Sequence, residues 1–184
     1  DEITCISKIF FVYLRSIKMI DRFSYNKLYN MQEIERKFLP KIGIPEILLI
    51  QSNNPVKRLR QGYIVNTSTY SRRLRSVEDE NGVTYFMTVK KGGGLKRVEE
   101  EKEITQSEVM ARSVDVVTWM NTLRYYFVYH YPDESEIECT LDSFQDDELK
   151  NLFLVEVEFE TEQQAKDFNP PHWFGEDVTT NNEY

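Results

Sequence analysis

Apolar and polar residues alternate along most of this chain, the period of half-buried β-strands rather than of helices. In 31–39, Met-Gln-Glu-Ile-Glu-Arg-Lys-Phe-Leu, Glu33, Glu35 and Lys37 share one face; Ile34 and Phe38 take the other, with Arg36 between them. The same alternation predicts strands at about 58–65 and 70–78 and a strand with Tyr85, Met87 and Val89 opposite Thr88 and Lys90. A charged strand ending near Ile104 follows, then strands at about 123–131, 135–143 and 152–160. Asn66–Thr69 and Asp79-Glu-Asn-Gly82 read as turns between strands. Gly92-Gly-Gly94 reads as a plain hairpin in preference to a phosphate cradle, since no Walker pattern surrounds it.

Helical signals are fewer. Thr105 with Glu108 forms a capping box that predicts a helix to about Met120, with Val109, Val116 and Met120 facing the core. A second box, Thr161 with Gln164, predicts a short helix ending near Phe168, stopped by Pro170 and Pro171, with Trp173 and Phe174 anchoring the tail. One or two helical turns are expected around Ile47, Leu48 and Leu49. Residues 1–30 stand apart: Ile6, Phe10, Tyr13 and Ile17 recur at helical spacing, and the segment reads as an appendage to a domain at 31–184. Its apolar run, 9–14, is too short to span a bilayer and lacks the features of a signal peptide.

Eight strand signals joined mostly by short turns predict a mainly β, α+β fold: an eight-stranded closed antiparallel barrel with helices packed outside. The charged faces then become informative. Arg73 and Arg75 share a face, as do Glu99, Glu101 and Glu103, and as do Glu156, Glu158 and Glu160; Glu138 and Asp142 align on their own strand. Such faces could be the wet side of edge strands. Pointing inward, they would line a lumen in which carboxylates and cations need water, metal or a polyanion to satisfy them. The inward reading is preferred, because outward charges would leave the 106–120 helix little apolar surface to pack on. An outer-membrane barrel is rejected, since Arg36, Arg72, Glu100 and Lys102 fall on the opposite phase.

The net charge of −8 conceals an asymmetry. Between Lys57 and Arg97, ten basic residues face three acidic ones; between Tyr131 and Tyr184, two face sixteen. The acidic total argues against general nucleic-acid binding, while the basic stretch suits a small polyanion. Cys5 and Cys139 offer no disulfide framework, compatible with a reducing, cytoplasmic location. His130 and His172 cannot by themselves form a zinc site.

Taken together, these stretches resemble the CYTH, or triphosphate tunnel metalloenzyme, family. Glu33-Ile-Glu-Arg-Lys37 matches its ExExK signature, Gln61-Gly-Tyr63 its second-strand motif and Arg73-Leu-Arg75 its paired arginines. Thr88-Val-Lys90, Arg97–Glu103, Arg124-Tyr-Tyr126, Leu141–Phe144, Glu156–Phe159 and the tail Pro171–Thr179 follow in the expected order. The resemblance implies an eight-stranded tunnel that binds a triphosphate compound with Mg2+ or Mn2+. It implies that Lys37, Arg73, Arg75, Lys90 and Arg124 clamp phosphate, and that Glu33, Glu35, Glu99, Glu101, Asp142, Glu156 and Glu158 hold metal and water. Glu33, Glu35, Lys37 and Glu158 would then be catalytic. Hydrolysis of the triphosphate is the expected activity, with cyclisation of ATP to cyclic AMP or plain ligand sensing as alternatives, in a monomer or homodimer away from membranes. Thr122 departs from the family's usual Lys-Thr-Arg-Tyr, leaving one expected cation missing.

Overall fold

A computed structural model describes residues 29–41, 43–131, 135–181 and 184. The expectation of a helical appendage falls on residues 1–28, outside the described residues, and on the start of the first strand. That strand, β1 (Tyr29–Leu39), begins two residues earlier than the sequence pattern suggests. Helix α1 (Pro45–Asn53) follows, with proline in its first turn, where a missing N–H costs nothing. Strands β2 (Val56–Asn66), β3 (Tyr70–Asp79), β4 (Gly82–Gly93) and β5 (Lys96–Ile104) form a meander. Helix α2 (Gln106–Arg112) leads to β6 (Thr118–His130), β7 (Glu136–Phe144), β8 (Phe153–Glu158), α3 (Glu162–Asp167) and the two-residue β9 (Glu176–Asp177).

Every strand pairing is antiparallel, and the order runs β1-β5-β4-β3-β2-β6-β7-β8 and back to β1. The sheet therefore closes into an eight-stranded barrel, and β9 adds to β1 on the same edge as β5, beyond the start of that strand. Both capping boxes are formed, as are the predicted hairpins at Asp79–Gly82 and at the triple glycine.

Register decides which face points inward. Residues directly opposite in an antiparallel pair share a face. Glu35 lies opposite Glu158, Lys37 opposite Glu156, Arg124 opposite Asp142, and Lys90 opposite Glu99. The other face carries the core: Phe38, Tyr125, Phe127, Cys139, Leu141, Val155 and Val157 cluster with Ile47 and Ile50 of α1 and with Phe174 of the tail. Helix and tail can cover only the outside of a closed barrel, so the charged face lines the lumen.

The long helix expected over 106–120, for which inward charges would leave an apolar surface, does not form. Helix α2 stops at Arg112 instead of running to about Met120, and none of its residues is buried. A single turn of 3₁₀-helix, Ser113–Asp115, leads into β6, which begins five residues before its expected start. The run Val114-Asp-Val-Val-Thr118 explains this, because β-branched residues lose side-chain freedom in a helix and favour a strand. Met120 accordingly lies in β6. Strand β8 also ends at Glu158, so Glu160 lies beyond it.

The outer cover is fastened at Arg36. Its NH1 donates to the carbonyl oxygens of Ala165 (3.1 Å) and Phe168 (2.8 Å), and its Nε and NH2 donate to Asp177 Oδ2. The outward arginine that argued against a lipid-facing wall thus ties α3 and β9 to β1. Phe174 packs 5.2 Å from the Phe38 ring, and Gly175 follows at φ 76, where a Cβ would run into the Leu39 carbonyl. Among the described residues, no helix is long and apolar enough to cross a membrane.

Candidate active site

Within the lumen, the alternation of β1 places Glu33, Glu35 and Lys37 along one line. Lys90 reaches both oxygens of Glu33 at 2.9 Å, and Arg97 Nε reaches its Oε2 at 2.7 Å. Glu35 is 3% exposed and forms ion pairs with Lys37 (3.3 Å) and with the Arg97 guanidinium. Lys37 also lies 3.6 Å from Glu156, and Lys90 lies 2.7 Å from Glu99.

Strands β2 and β3 support the paired arginines. Arg73 NH1 donates to the Tyr63 hydroxyl at 3.4 Å, and Arg75 Nε donates to Gln61 Oε1 at 3.3 Å. Arg75 pairs with Glu101 at 3.5 Å, and Thr88 donates to the same carboxylate at 2.7 Å. Gly62 is required between Gln61 and Tyr63: the Trp119 indole lies over it, and a Cβ there would meet the ring at 2.7 Å. On the far wall, Arg124 forks onto Asp142 with two contacts of 2.6 Å and reaches Glu156 at 2.7 Å. Glu158 stands at the end of β8, opposite Glu35 and open to solvent.

All twelve predicted site residues therefore lie on the inward face of the barrel wall, with Glu158 at its open end. Sequence reasoning missed Arg97, although its even spacing from Glu99 and Glu101 puts it on the same face. With Arg97 added, six cations (Lys37, Arg73, Arg75, Lys90, Arg97, Arg124) face seven carboxylates (Glu33, Glu35, Glu99, Glu101, Asp142, Glu156, Glu158). Thr122, at the position of the missing lysine, is 2% exposed, and its hydroxyl has no hydrogen-bond partner.

Pairing sets the ionisation. Burial opposes the charge on Glu33, but Lys90 and Arg97 outweigh it and hold the carboxyl well below its usual range. Burial likewise opposes Glu156, which Arg124 and Lys37 bring down to about 2. At Glu99 burial and the Glu33 charge prevail over Lys90, and the carboxyl rises. Glu158 rises through its surroundings and through Glu33 and Glu156. Burial works against the charge of Arg73, yet Tyr63 and Glu99 keep it firmly protonated.

Two observations bear on metal. Among the described residues, no three carboxylate, histidine or cysteine side chains gather closely enough to surround one ion. Glu35 Oε1 is nevertheless buried without a hydrogen bond, and hard carboxylate oxygens are what Mg2+ or Mn2+ prefers. The donor set fits a divalent ion that takes part of its coordination from water or phosphate.

No family model matches the chain. An inorganic triphosphatase of Nitrosomonas europaea is 40% identical over 162 residues, covering 84% of this chain and 93% of that protein. A crystal structure of an inorganic triphosphatase aligns at 34% identity with a TM-score of 0.53, covering 83% of this chain and 89% of the other. A Pyrococcus horikoshii protein at 17% identity, covering 73% of this chain and 82% of its own, shares the fold at a TM-score of 0.50. The barrel and its charged lumen define a triphosphate-tunnel class of protein. The chain belongs to the CYTH, or triphosphate tunnel, family.

Proposed function

We propose that the protein hydrolyses a triphosphate compound, inorganic tripolyphosphate above all, inside the barrel with Mg2+ or Mn2+. The observation that carries this reading is the enclosed balance of six cations and seven carboxylates. These thirteen side chains, all ionised, sum to one negative charge, so a highly charged triphosphate needs divalent cations to enter with it.

Arg73, Arg75 and Arg124 would grip phosphate oxygens in pairs, and Lys37 and Lys90 would act as point charges. Lys37, Arg75, Lys90 and Arg124 would first exchange a carboxylate for phosphate, whereas Arg73 is held by the Tyr63 hydroxyl. The carboxylates so released, Glu33, Glu35, Glu99, Glu101, Asp142 and Glu156, together with Glu158 at the open end, would hold the metal. Bound there, the ion would spread phosphate charge and acidify a water for attack. The wall would hold the phosphate chain against the cations, and positioning of this kind is most of what phosphoryl transfer requires.

The test is a panel of tripolyphosphate, ATP, GTP and thiamine triphosphate with Mg2+ or Mn2+, with every product identified. Tripolyphosphate should yield phosphate and pyrophosphate at least as readily as ATP yields ADP and phosphate. Cyclic AMP as the dominant product would replace hydrolysis by cyclisation. Tight binding without turnover would leave a sensor.

A further inference from the structure

We infer that Arg97 is a built-in counter-cation that occupies the space between Glu33 and Glu35 and yields it to a divalent ion. The inference rests on the metal dependence proposed above and deepens it. Among the ion pairs of the described residues, only those of Arg97 bridge these two carboxylates. Its Nε lies 2.7 Å from Glu33 Oε2, and its NH2 contacts Glu35 Oε1. Lys37 instead links Glu35 to Glu156, and Lys90 links Glu33 to Glu99.

A guanidinium can neutralise two carboxylates at once because it is a planar fork, whereas an ammonium is a point charge. The side chains of Glu33 and Glu35 are only 13% and 4% exposed, so leaving them uncompensated would be costly. The contact with Glu35 Oε1 is an ion pair, and that oxygen accepts no hydrogen bond.

The neighbourhood also allows the fork to leave. The residue opposite Arg97 on β4 is Gly92, so β4 projects no side chain against it. Arg97 stands at the start of β5, next to the hairpin at that end of the barrel. Arginine and metal then compete for one place: the empty tunnel is kept folded by the arginine, and the loaded tunnel releases it.

The test uses Mn2+ alone, with free ion counted by electron paramagnetic resonance. Arg97→Met should bind Mn2+ at least about tenfold more tightly than the unaltered protein, because a buried competing charge has gone. Arg97→Lys should fall between the two. Glu33→Gln, added to either background, should abolish that site. Unchanged or weaker Mn2+ binding in Arg97→Met overturns the inference, as does a tight site that survives Glu33→Gln. Should Arg97→Met fail to fold, the unaltered protein decides. Nitrogen-15 NMR should show the Arg97 Nε–H exchanging faster with water once Mg2+ is saturating, and a resonance that stays protected overturns the proposal. Unaltered protein that binds Mn2+ but cleaves no triphosphate would end the functional reading while leaving this inference standing.

Discussion

The two halves of the barrel wall differ on the outside and agree on the inside. On β6, β7, β8 and β1 the outward residues are Tyr125, Phe127, Cys139, Leu141, Val155, Val157 and Phe38, sealed under α1 and the tail. On β2 to β5 the outward positions include Arg58, Arg60, Arg72, Met87, Glu100 and Lys102, with Leu74 and Ile104 buried among them. There, among the described residues, Trp119 lies over Gly62 with the Arg60 guanidinium 4.3 Å from its centroid. The lumen draws cations and carboxylates from both halves. Charge is thus distributed around the whole inner wall, while apolar packing is concentrated on one side of the outer one.

That contrast is tested first where function and stability separate most. Glu35→Ala should lower metal-dependent tripolyphosphate hydrolysis about a thousandfold, the scale of losing a key electrostatic group. Its thermal midpoint should hold or rise, since one of several crowded carboxylates has been removed. Near-normal turnover in a folded variant would remove Glu35 from the site. Leu141→Ala, on the sealed half, should cost about 2–5 kcal/mol in urea unfolding. Met87→Ala, on the open half, should cost about 1 kcal/mol or less. Equal losses at the two positions would erase the contrast.

A smaller effect lies in acid. Glu156 is held at about 2, below its ordinary 4.5, so its contribution to stability is full above about pH 4.5 and is lost as pH falls toward 2. Glu156→Gln should therefore flatten the fall in urea midpoint between pH 5 and pH 3. A variant as acid-sensitive as the parent would show that other carboxylates carry that limb. The smallest effect concerns Cys139 on the sealed half, whose thiol is pushed up to about 12 mainly by burial. In the native protein at pH 8 it should resist thiol reagents, and it should react on unfolding. Rapid native labelling would mean that the seal opens.

Much of the lumen was legible because a strand has a period of two. Once Glu33, Glu35 and Lys37 are placed on one face, every later charged pair follows by the same parity. Arg97 obeys that parity too, but a cation heading a run of glutamates carries no sign in the sequence that it pairs with Glu33 of β1. The extent of α2 was not legible from its cap. A capping box marks where a helix begins, and the competition that ends it lay in the valines that β6 claims. The role of α1 was hidden for another reason: Ile47 and Ile50 gain their meaning from Leu141 and Val155, which come about a hundred residues later.

Strand β1 splits its pairing, Tyr29–Ile34 against β5 and Glu35–Phe38 against β8. The second ladder joins segments more than a hundred residues apart in the chain. During synthesis the first strand of the barrel must therefore wait for the last. Until β8 has emerged, β1 and β7 both present unpaired edges able to recruit other chains. Seam closure of this kind is slow, on the order of milliseconds to seconds. Stopped-flow refolding should show the Glu35–Phe38 side of β1 docking in the final phase, making the strand with the richest chemistry also the latch that closes last.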